Sequence, residues 1–270
     1  VRTYLPANGE PQPPLQLDYS LIRPKGAPLV TAGGRAPGPE PLQRALEATE
    51  KILAAAAGRQ LEPLQAHDIV CHLSTAVASG GIRRSALISL FSPDDEAMVR
   101  CKSGEWWQQH SQRAMANNSA VLDRGTVSEQ SFAELWGEVQ RSGSGEPGVY
   151  FTHDTNWGAN PCCEIALEPF QFCNLTEINA GLAHTQSSLD ELARAAALIG
   201  TLQASYTDLH LLRPQWRETT EAGALLGVSM TGQHRVLACR VQAEQQGPIA
   251  AAGPVVIRHA CLLQALRVGP

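Results

Sequence analysis

The chain has 270 residues, which is enough for one large domain with its own core. Its formal net charge is −5 and its pI is about 5.9, so the composition excludes the basic surface that is typical of nucleic-acid-binding proteins. It contains neither a long apolar run that would predict a membrane span nor the pattern of a secretory leader. Seven cysteines without regular spacing favour a reducing cytoplasm over a disulfide scaffold. We therefore expect a cytoplasmic protein that contacts neither membranes nor nucleic acid.

The beginning of the chain is rich in proline and glycine. Residues 1–17 contain many prolines and few apolar anchors, and they are predicted to form a poorly ordered segment. Residues 23–41 have a composition that excludes a helix. Lys25 and Arg35 lie among the glycines of this stretch, so cations and backbone N–H groups could both approach a phosphate or a base. A generic surface loop is the alternative interpretation.

From residue 40 onward the apolar pattern predicts alternating helices and strands. Two helices, at 40–58 and 66–79, precede a short buried strand at 86–91. Ser92 is the expected N-cap of the next helix, with Pro93 at its first position. The other predicted elements are a strand at 119–122, a helix at 128–142 capped by Ser128, a strand at 149–152, a helix at 189–209 with a capping box at Ser188–Glu191, a loop at 213–217 and a strand at 225–230. Strand, helix and strand in this order indicate a parallel α/β sheet.

The densest group of reactive side chains lies at residues 160–164, with the sequence Asn-Pro-Cys-Cys-Glu. An amide, a thiol and a carboxyl group occupy alternate positions. Because alternate side chains of an extended segment point the same way, Asn160, Cys162 and Glu164 are predicted to face one small volume. Cys163 is predicted to face away. Such a site would combine a hydrogen-bonding amide, a reactive sulfur and an acid or base.

Other interpretations of these cysteines stay open. The adjacent pair, together with Cys173 and His153, could bind zinc, although structural zinc sites usually have two closely spaced ligand pairs. Free cysteines are also common as small buried hydrophobic residues, and Cys71 and His72 on the second helix are interpreted in this way. His153 and Asp154 follow a predicted strand, where either catalysis or helix capping would suit them.

Residues 160–164, followed by Cys-Asn-Leu at 173–175, resemble the finger-loop motif of ribonucleotide reductases. Further blocks narrow the resemblance to the adenosylcobalamin-dependent (class II) branch, and within it to the monomeric ribonucleoside-triphosphate reductases. These blocks are DYSLIRPKGAPL at 18–29, GGIRRSA at 80–86, ANNSAV at 116–121 and LRPQWRETT at 212–220. We therefore expect a partial catalytic α/β barrel at 18–232, and an unmatched C-terminal tail at 233–270. The chain also begins without Met, so we expect a fragment of a longer protein.

The resemblance implies a ten-stranded α/β barrel of two five-stranded halves, with the finger loop through its centre. This chain would supply about the first half and the finger loop. The implied activity is reduction of ribonucleoside triphosphates to 2′-deoxyribonucleoside triphosphates, for DNA precursor synthesis, by a thiyl-radical mechanism that adenosylcobalamin initiates. The implied partners are the ribonucleoside triphosphate substrate, a deoxynucleotide effector, and thioredoxin or another dithiol reductant. The loop with Lys25 and Arg35 resembles, by position, the family's loop that relays effector identity to substrate choice.

The resemblance also implies a role for each residue of the motif. Cys162 corresponds to the cysteine that becomes a thiyl radical and takes the 3′ hydrogen from the ribose. Glu164 corresponds to the carboxylate that accepts the 3′-OH proton, and Asn160 to the amide that hydrogen-bonds the ribose hydroxyls. Cys173 corresponds to one member of the dithiol that delivers the reducing electrons. Since a solvent-exposed thiyl would be quenched, the resemblance implies that the loop lies in a closed interior.

Three parts of the family pattern have no match in this chain. They are the second cysteine of the reducing pair, the segment that grips the substrate phosphates, and the main part of the effector site. We therefore expect no turnover from these 270 residues alone. Two other functions stay open: a fragment of a cobalamin-independent ribonucleotide reductase large subunit, and a non-catalytic remnant that binds zinc or a nucleotide.

Overall fold

The computed structural model describes residues 16–30, 33–79, 82–83 and 85–232. The chain divides into two compact units, and the division falls between Ala166 and Leu167. None of the helices described is long and apolar enough to cross a membrane.

Some of the predicted features lie outside the described residues. The tail predicted at 233–270 does so completely, and the segment predicted at 1–17 does so for all but its last two residues. Within the block at 80–86, the glycines 80 and 81 and the arginine 84 also lie outside. The domain boundaries predicted from the sequence therefore stay predictions.

The first unit begins with two helices, α1 (Glu40–Ala55) and α2 (Pro63–Thr75), which confirms both predicted helices with shifted bounds. The α2 helix begins before the predicted start because Pro63 suits its first turn and Glu62 and Gln65 form a capping box. Residues 78–79 were predicted as helix, but they form β1 (Ala78–Ser79), which pairs antiparallel with β2 (Ile82–Arg83).

A parallel sheet forms the centre of the first unit. Its strands are β3 (Leu87–Phe91), β4 (Ala116–Asp123) and β5 (Gly148–Thr152), with β4 between the other two. The predicted strands and the predicted α/β class are therefore confirmed. A buried apolar cluster covers this sheet and consists of Val99, Ala120, Leu122 and Leu135.

The connection between β3 and β4 differs from the prediction. Its helix, α3 (Glu96–Val99), has only four residues, and its N-cap is Asp95, whose side chain accepts a hydrogen bond from the Met98 N–H. The predicted cap, Ser92, instead accepts a hydrogen bond from the Asp94 N–H. The Ser-Pro pattern predicts the wrong N-cap here, because the carboxylate of Asp95, three residues after Ser92, caps the helix instead.

The helix between β4 and β5 agrees with its prediction. α4 (Glu129–Ser142) begins after Ser128, whose side chain accepts a hydrogen bond from the Ser131 N–H. Gly143, at a φ of 71°, ends it in the left-handed conformation that glycine adopts without strain. Two short strands follow, β6 (Gly158–Ala159) and β7 (Ala166–Leu167).

The second unit contains a parallel pair of strands and two helices. β8 (Leu175–Asn179) pairs with β9 (Gly227–Thr231), and between them lie α5 (Gln186–Ala204) and α6 (Pro214–Gly223). The strand predicted at 225–230 is confirmed as β9, with its start shifted by two residues.

Two predictions for the second unit are wrong. The capping box of α5 is formed by Thr185 and Ser188 and not by Ser188 and Glu191, because the Thr185 hydroxyl accepts a hydrogen bond from the Ser188 N–H. The loop predicted at 213–217 is the first turn of α6. Pro214 is tolerated there because the N–H that proline lacks is not needed in the first turn of a helix.

Candidate active site

The motif at residues 160–164 forms a closed turn, and we use the name finger turn for residues 158–166. Three hydrogen bonds of Asn160 define its shape. The backbone N–H of Asn160 donates to the Ile165 carbonyl (3.1 Å), its side-chain Oδ1 accepts from the Ile165 N–H (3.0 Å), and its carbonyl accepts from the Cys163 N–H (2.9 Å). Asn160 is buried. The amide at this position therefore holds the turn together.

The closed turn contradicts the argument that alternate side chains of residues 160–164 point the same way. That argument requires an extended backbone, whereas Cys163 has a φ of 67°, in the left-handed region. Cys162, Cys163 and Glu164 are all exposed, so the described residues do not form the closed interior around this loop that the resemblance implies. The prediction that only Cys163 faces away from the others therefore has no basis in this backbone. The three residues are consecutive within the finger turn, so their backbones lie close together.

The thiol of Cys163 has a raised pKa. Partial burial, and then the neighbouring Cys162 and Glu164, raise the pKa of the Cys163 thiol. Because the thiolate is the nucleophilic form of cysteine, this shift disfavours Cys163 as a nucleophile.

A side chain of the central strand reaches the finger turn. Nδ2 of Asn117 in β4 donates to the backbone carbonyl of Pro161 at 2.7 Å. Asn117 belongs to the block at 116–121 that carries part of the resemblance, but sequence reasoning gave it no role. The signal available in the sequence is two adjacent asparagines in the segment that forms β4, which is unusual because asparagine is depleted in strands.

Cys173 belongs to the second unit and lies just before β8, where it is half-buried. The segment around it packs on α6. The Phe172 and Trp216 rings lie 4.8 Å apart between centroids, and Nδ2 of Asn174 donates to the Leu225 carbonyl at 3.1 Å. The Trp of the block at 212–220 therefore supports the strand that follows Cys173. The pairing of Cys173 with a second thiol stays a prediction.

The loop with Lys25 and Arg35 is folded as a small hairpin. Pro28 and Arg35 form an antiparallel bridge, and the Gly26 N–H donates to the Ala36 carbonyl at 2.9 Å. The guanidinium of Arg35 donates to the Gly26 carbonyl at 2.9 Å, so the arginine supports its own loop. Lys25 and Arg35 are both exposed. Their role toward an effector stays a prediction.

A buried ion pair lies behind the sheet, and sequence reasoning missed it. Arg113 forms two hydrogen bonds with the carboxylate of Asp68, at 2.8 and 2.7 Å, and a third with the Cys101 carbonyl at 2.7 Å. Burial by itself raises the pKa of Asp68, but hydrogen bonds from Arg113 and His67 and the charge of Arg113 lower it well below its ordinary range. The pair is therefore a charged, hydrogen-bonded element of the fold.

Further polar groups extend this pair into a network. Nε2 of His67 and Oδ1 of Asn118 lie 3.0 Å apart, and Nδ2 of Asn118 donates to the Cys101 sulfur at 3.0 Å. Cys71 Sγ lies 3.7 Å from Nε2 of His67. Burial, and then the charge of Asp68, raise the pKa of Cys71 to about 12, and burial also raises the pKa of Cys101. These two thiols are therefore held protonated as packing residues, as the sequence predicted for Cys71.

The remaining candidates are exposed. His153 and Asp154 follow β5, and the Asp154 carboxylate accepts a hydrogen bond from the Asn156 N–H at 2.9 Å, which is a local turn contact. Among the described residues, which include His153 and the three cysteines Cys162, Cys163 and Cys173, no group of three potential ligands could hold a metal ion. The zinc interpretation gains no support from this geometry.

Comparison with curated proteins gives one family. The chain is 31% identical over 242 residues to the adenosylcobalamin-dependent ribonucleoside-triphosphate reductase of Levilactobacillus brevis, which covers 83% of this chain. It is 32% identical over 237 residues to the enzyme of the same name from Lactobacillus leichmannii, which covers 81% of this chain. The predicted resemblance to class II ribonucleotide reductases is confirmed. The chain spans about a third of the length of these reductases, 31% in both cases.

A solved structure agrees with this assignment. The crystal structure of a B12-dependent (class II) ribonucleotide reductase matches this fold with a TM-score of 0.64 and 26% sequence identity. The match covers 82% of this chain and 32% of that reductase. The predicted fold, part of a ribonucleotide reductase barrel, is therefore confirmed. A search against protein-family models found no match.

Proposed function

We propose that this chain is the finger-loop segment of an adenosylcobalamin-dependent ribonucleoside-triphosphate reductase, and that residues 18–232 form part of its catalytic barrel. The observation that carries the proposal is the finger turn, in which Asn160 fixes a closed loop that carries the exposed Cys162 and Glu164. The similarity to curated reductases over most of the chain supports it. The reaction is an oxidoreduction that converts ribonucleoside triphosphates into 2′-deoxyribonucleoside triphosphates for DNA precursor synthesis in the cytoplasm.

Cys162 carries the radical in this proposal. As a thiyl it takes the hydrogen atom from C3′ of the ribose, which leaves a cysteine thiol and a carbon radical on the substrate. Glu164, two residues later on the same turn, accepts the proton of the 3′-OH. The Oδ1 of Asn160 already accepts one hydrogen bond within the turn, yet an amide oxygen has a second lone pair and the NH₂ group has two donors. Asn160 can therefore hold the turn and bind a ribose hydroxyl.

When bound, adenosylcobalamin would supply the initial radical, which Cys162 would receive. The finger turn offers a thiol to that chemistry, because Cys162 is exposed on this chain and a large cofactor could approach it. The rest of the reductase would have to close this site against solvent, since an exposed thiyl would be quenched. Cys162 is therefore the residue that would face the cofactor. The chain's own contribution is to orient this thiol through the hydrogen bonds of the finger turn.

Cys173 supplies one of the two thiols that are oxidised to a disulfide. Their two electrons, with protons, replace the 2′-OH of the substrate by hydrogen, and the hydroxyl leaves as water. Thioredoxin or another dithiol then reduces the disulfide. The exposed Lys25 and Arg35 contact a deoxynucleotide effector or relay its identity, and the positional resemblance of their loop to the family's relay loop is the basis for this assignment.

A graft of the finger turn tests the proposal. Residues 158–166 of this chain replace the matched residues of the Levilactobacillus brevis reductase, and formation of deoxyribonucleotide is measured with and without adenosylcobalamin. We expect cobalamin-dependent turnover within about tenfold of the parent enzyme, since the turn carries its own hydrogen bonds. A graft that folds, as judged by circular dichroism and thermal unfolding, but forms no product would overturn the proposal. Residues 1–270 alone are expected to form no product in the same assay.

A further inference from the structure

The structure contains a connection between the sheet and the finger turn that the proposed chemistry does not use. We propose that Asn117 is a positioning residue, which fixes the finger turn to β4 and so sets the place of the Cys162 thiol. This inference rests on the proposed function of Cys162, but its geometry does not depend on it. The contact that carries it is the hydrogen bond from Nδ2 of Asn117 to the Pro161 carbonyl, at 2.7 Å.

The hydrogen bond from Asn117 acts on the peptide unit that joins Pro161 to Cys162. The carbonyl of Pro161 and the N–H of Cys162 belong to one peptide unit, which is planar. Holding the oxygen of that unit therefore restricts the position of the Cys162 Cα. Pro161 has no N–H of its own, so its carbonyl is its one backbone group that can be held by a hydrogen bond.

The other bonds of the turn cannot replace this one. The bonds between Asn160 and Ile165, and between Cys163 and Asn160, are internal, so they fix the shape of the turn and not its place on the sheet. A second bond from the sheet, donated by the Tyr150 hydroxyl to the Gly158 carbonyl, is 3.5 Å long and acts at the start of the turn. At that length it is at the limit of hydrogen-bond geometry.

The strand that carries Asn117 is itself held firmly. β4 is the central strand and is hydrogen-bonded to β3 and β5. Successive side chains of a strand point to opposite faces, so Asn117 and Asn118 project in opposite directions. Asn118 is 2% exposed and bonds to His67 and Cys101 in the buried network. The network therefore holds the back of β4 while Asn117 holds the finger turn at its front.

The need for such a contact follows from the chemistry proposed for Cys162. Hydrogen-atom transfer between a sulfur and a ribose carbon depends on placement within a fraction of an ångström. An exposed turn with only internal bonds would not provide that placement. A direct bond from a rigid strand does so, as expected of a residue that supports a reactive group.

Amide hydrogen exchange on residues 1–270 tests the inference. In Asn117→Asp the side chain keeps its shape but cannot donate, and in Asn117→Ala the amide is removed. For both variants we expect exchange at the Cys163 and Ile165 amides, which donate to Asn160, to be about fivefold faster, as the loss of one ordinary net hydrogen bond predicts. The amides of α2 and β4 are expected to exchange as in the unchanged chain, and Cys71 is expected to stay protected from alkylation.

Two matched variants serve as controls. Asn174→Asp makes the same change in the second unit, where Nδ2 also donates to a distant carbonyl, and Tyr150→Phe removes the longer bond to Gly158. Both should leave exchange at Cys163 and Ile165 unchanged within a factor of two. Unchanged exchange in both Asn117 variants would overturn the inference. Faster exchange throughout the first unit would do so as well, because it would make Asn117 a residue of general stability.

The amide-exchange experiment and the graft of the finger turn test different claims. Amide exchange in this chain requires neither nucleotide nor cobalamin, so a failure here leaves the proposed reductase function standing. An inactive graft, in turn, leaves the contact between Asn117 and Pro161 and its effect on exchange unaltered.

Discussion

The first unit contains two regions that carry cysteines, and they are built in opposite ways. Cys71 and Cys101 lie in the network behind the sheet, where both are buried and burial raises the pKa of each thiol. Cys162 and Cys163 lie on the finger turn, where both are exposed. The same residue type is therefore a packing group in one region and a candidate reactive group in the other.

The two regions have different roles: the network supports the sheet, and the finger turn carries the candidate reactive groups. The network consists of charged and polar side chains that satisfy one another, so it gives β4 a fixed position. The finger turn has few bonds and leaves its thiol and carboxylate open to solvent. Two adjacent asparagines of β4 join the regions, since Asn118 bonds to the network and Asn117 to the turn. A reactive loop with little stability of its own can thereby be placed accurately.

The largest effect on stability should come from breaking the buried ion pair. Arg113→Ala leaves the Asp68 carboxylate, whose side chain is 13% exposed, without its main partner. We expect the free energy of unfolding to fall by about 3–5 kcal/mol, because an uncompensated buried charge is costly. Urea denaturation followed by circular dichroism measures this change.

The control for that variant is an exposed pair. Arg217→Ala removes the bond to Glu221 in α6, where the two side chains are 65% and 46% exposed. The expected loss is about 0–1 kcal/mol, as for surface salt bridges in general. Equal losses in the two variants would contradict the view that the network is the rigid region.

Removing Asn118 should have the next largest effect. Asn118→Ala leaves Nε2 of His67 without its partner at 3.0 Å and also removes the bond to the Cys101 sulfur. We expect a loss of about 1–3 kcal/mol, the usual cost of an unsatisfied buried polar group. Thermal unfolding measures it. Asn156→Ala, an exposed change in a loop, should stay within about 0.5 kcal/mol of the unchanged chain.

The network also predicts a pH dependence of stability. The pKa of Asp68 in the folded state lies well below its ordinary value, so its contribution is complete above about pH 4 and is lost as the pH falls through the folded-state pKa. We expect the free energy of unfolding to fall by an amount on the order of 1–2 kcal/mol below pH 4 through this group. Urea titrations between pH 6 and about pH 2.5 should show a shallower slope in Asp68→Asn. An unchanged slope in that variant would assign the acid sensitivity to other carboxylates.

The smallest effect on global stability is expected in the finger turn. Asn160→Ala removes the side-chain bond to the Ile165 N–H, and because Ile165 is only half-buried we expect a loss of about 1 kcal/mol. Exchange at the Ile165 amide should nevertheless become faster. Asn160→Asp retains the accepting oxygen and should leave that amide protected. A loss in Asn160→Ala as large as in Arg113→Ala would remove the distinction between the two regions.

Much of the fold could be predicted because its signals are local. The Ser128 cap and the amphipathic pattern of α4 identified that helix, and the order of strands and helices identified the parallel sheet. The cap at Ser92 was wrong because Asp95 competes for the same helix end. The prediction of a loop at 213–217 is wrong because proline, although typical of loops, is also well tolerated in the first turn of a helix, and here it begins α6.

The candidate site could be predicted only in part. Its residues followed from the resemblance, but the argument from alternation assumed an extended backbone that the left-handed Cys163 excludes. The ion pair of Asp68 and Arg113 and the bond from Asn117 to Pro161 join residues more than 40 positions apart. No local pattern specifies such pairs, because they depend on which elements the tertiary fold brings together.

The most direct test of the central claim uses the two adjacent cysteines of the finger turn. In the reductase that carries residues 158–166 of this chain, Cys162→Ser and Cys163→Ser make the same change one position apart. Our account predicts that Cys162→Ser abolishes cobalamin-dependent formation of deoxyribonucleotide, whereas Cys163→Ser retains turnover within about tenfold of the unchanged graft, because only the first thiol is the radical carrier. Turnover that survives in Cys162→Ser, or that is lost only in Cys163→Ser, would contradict the account.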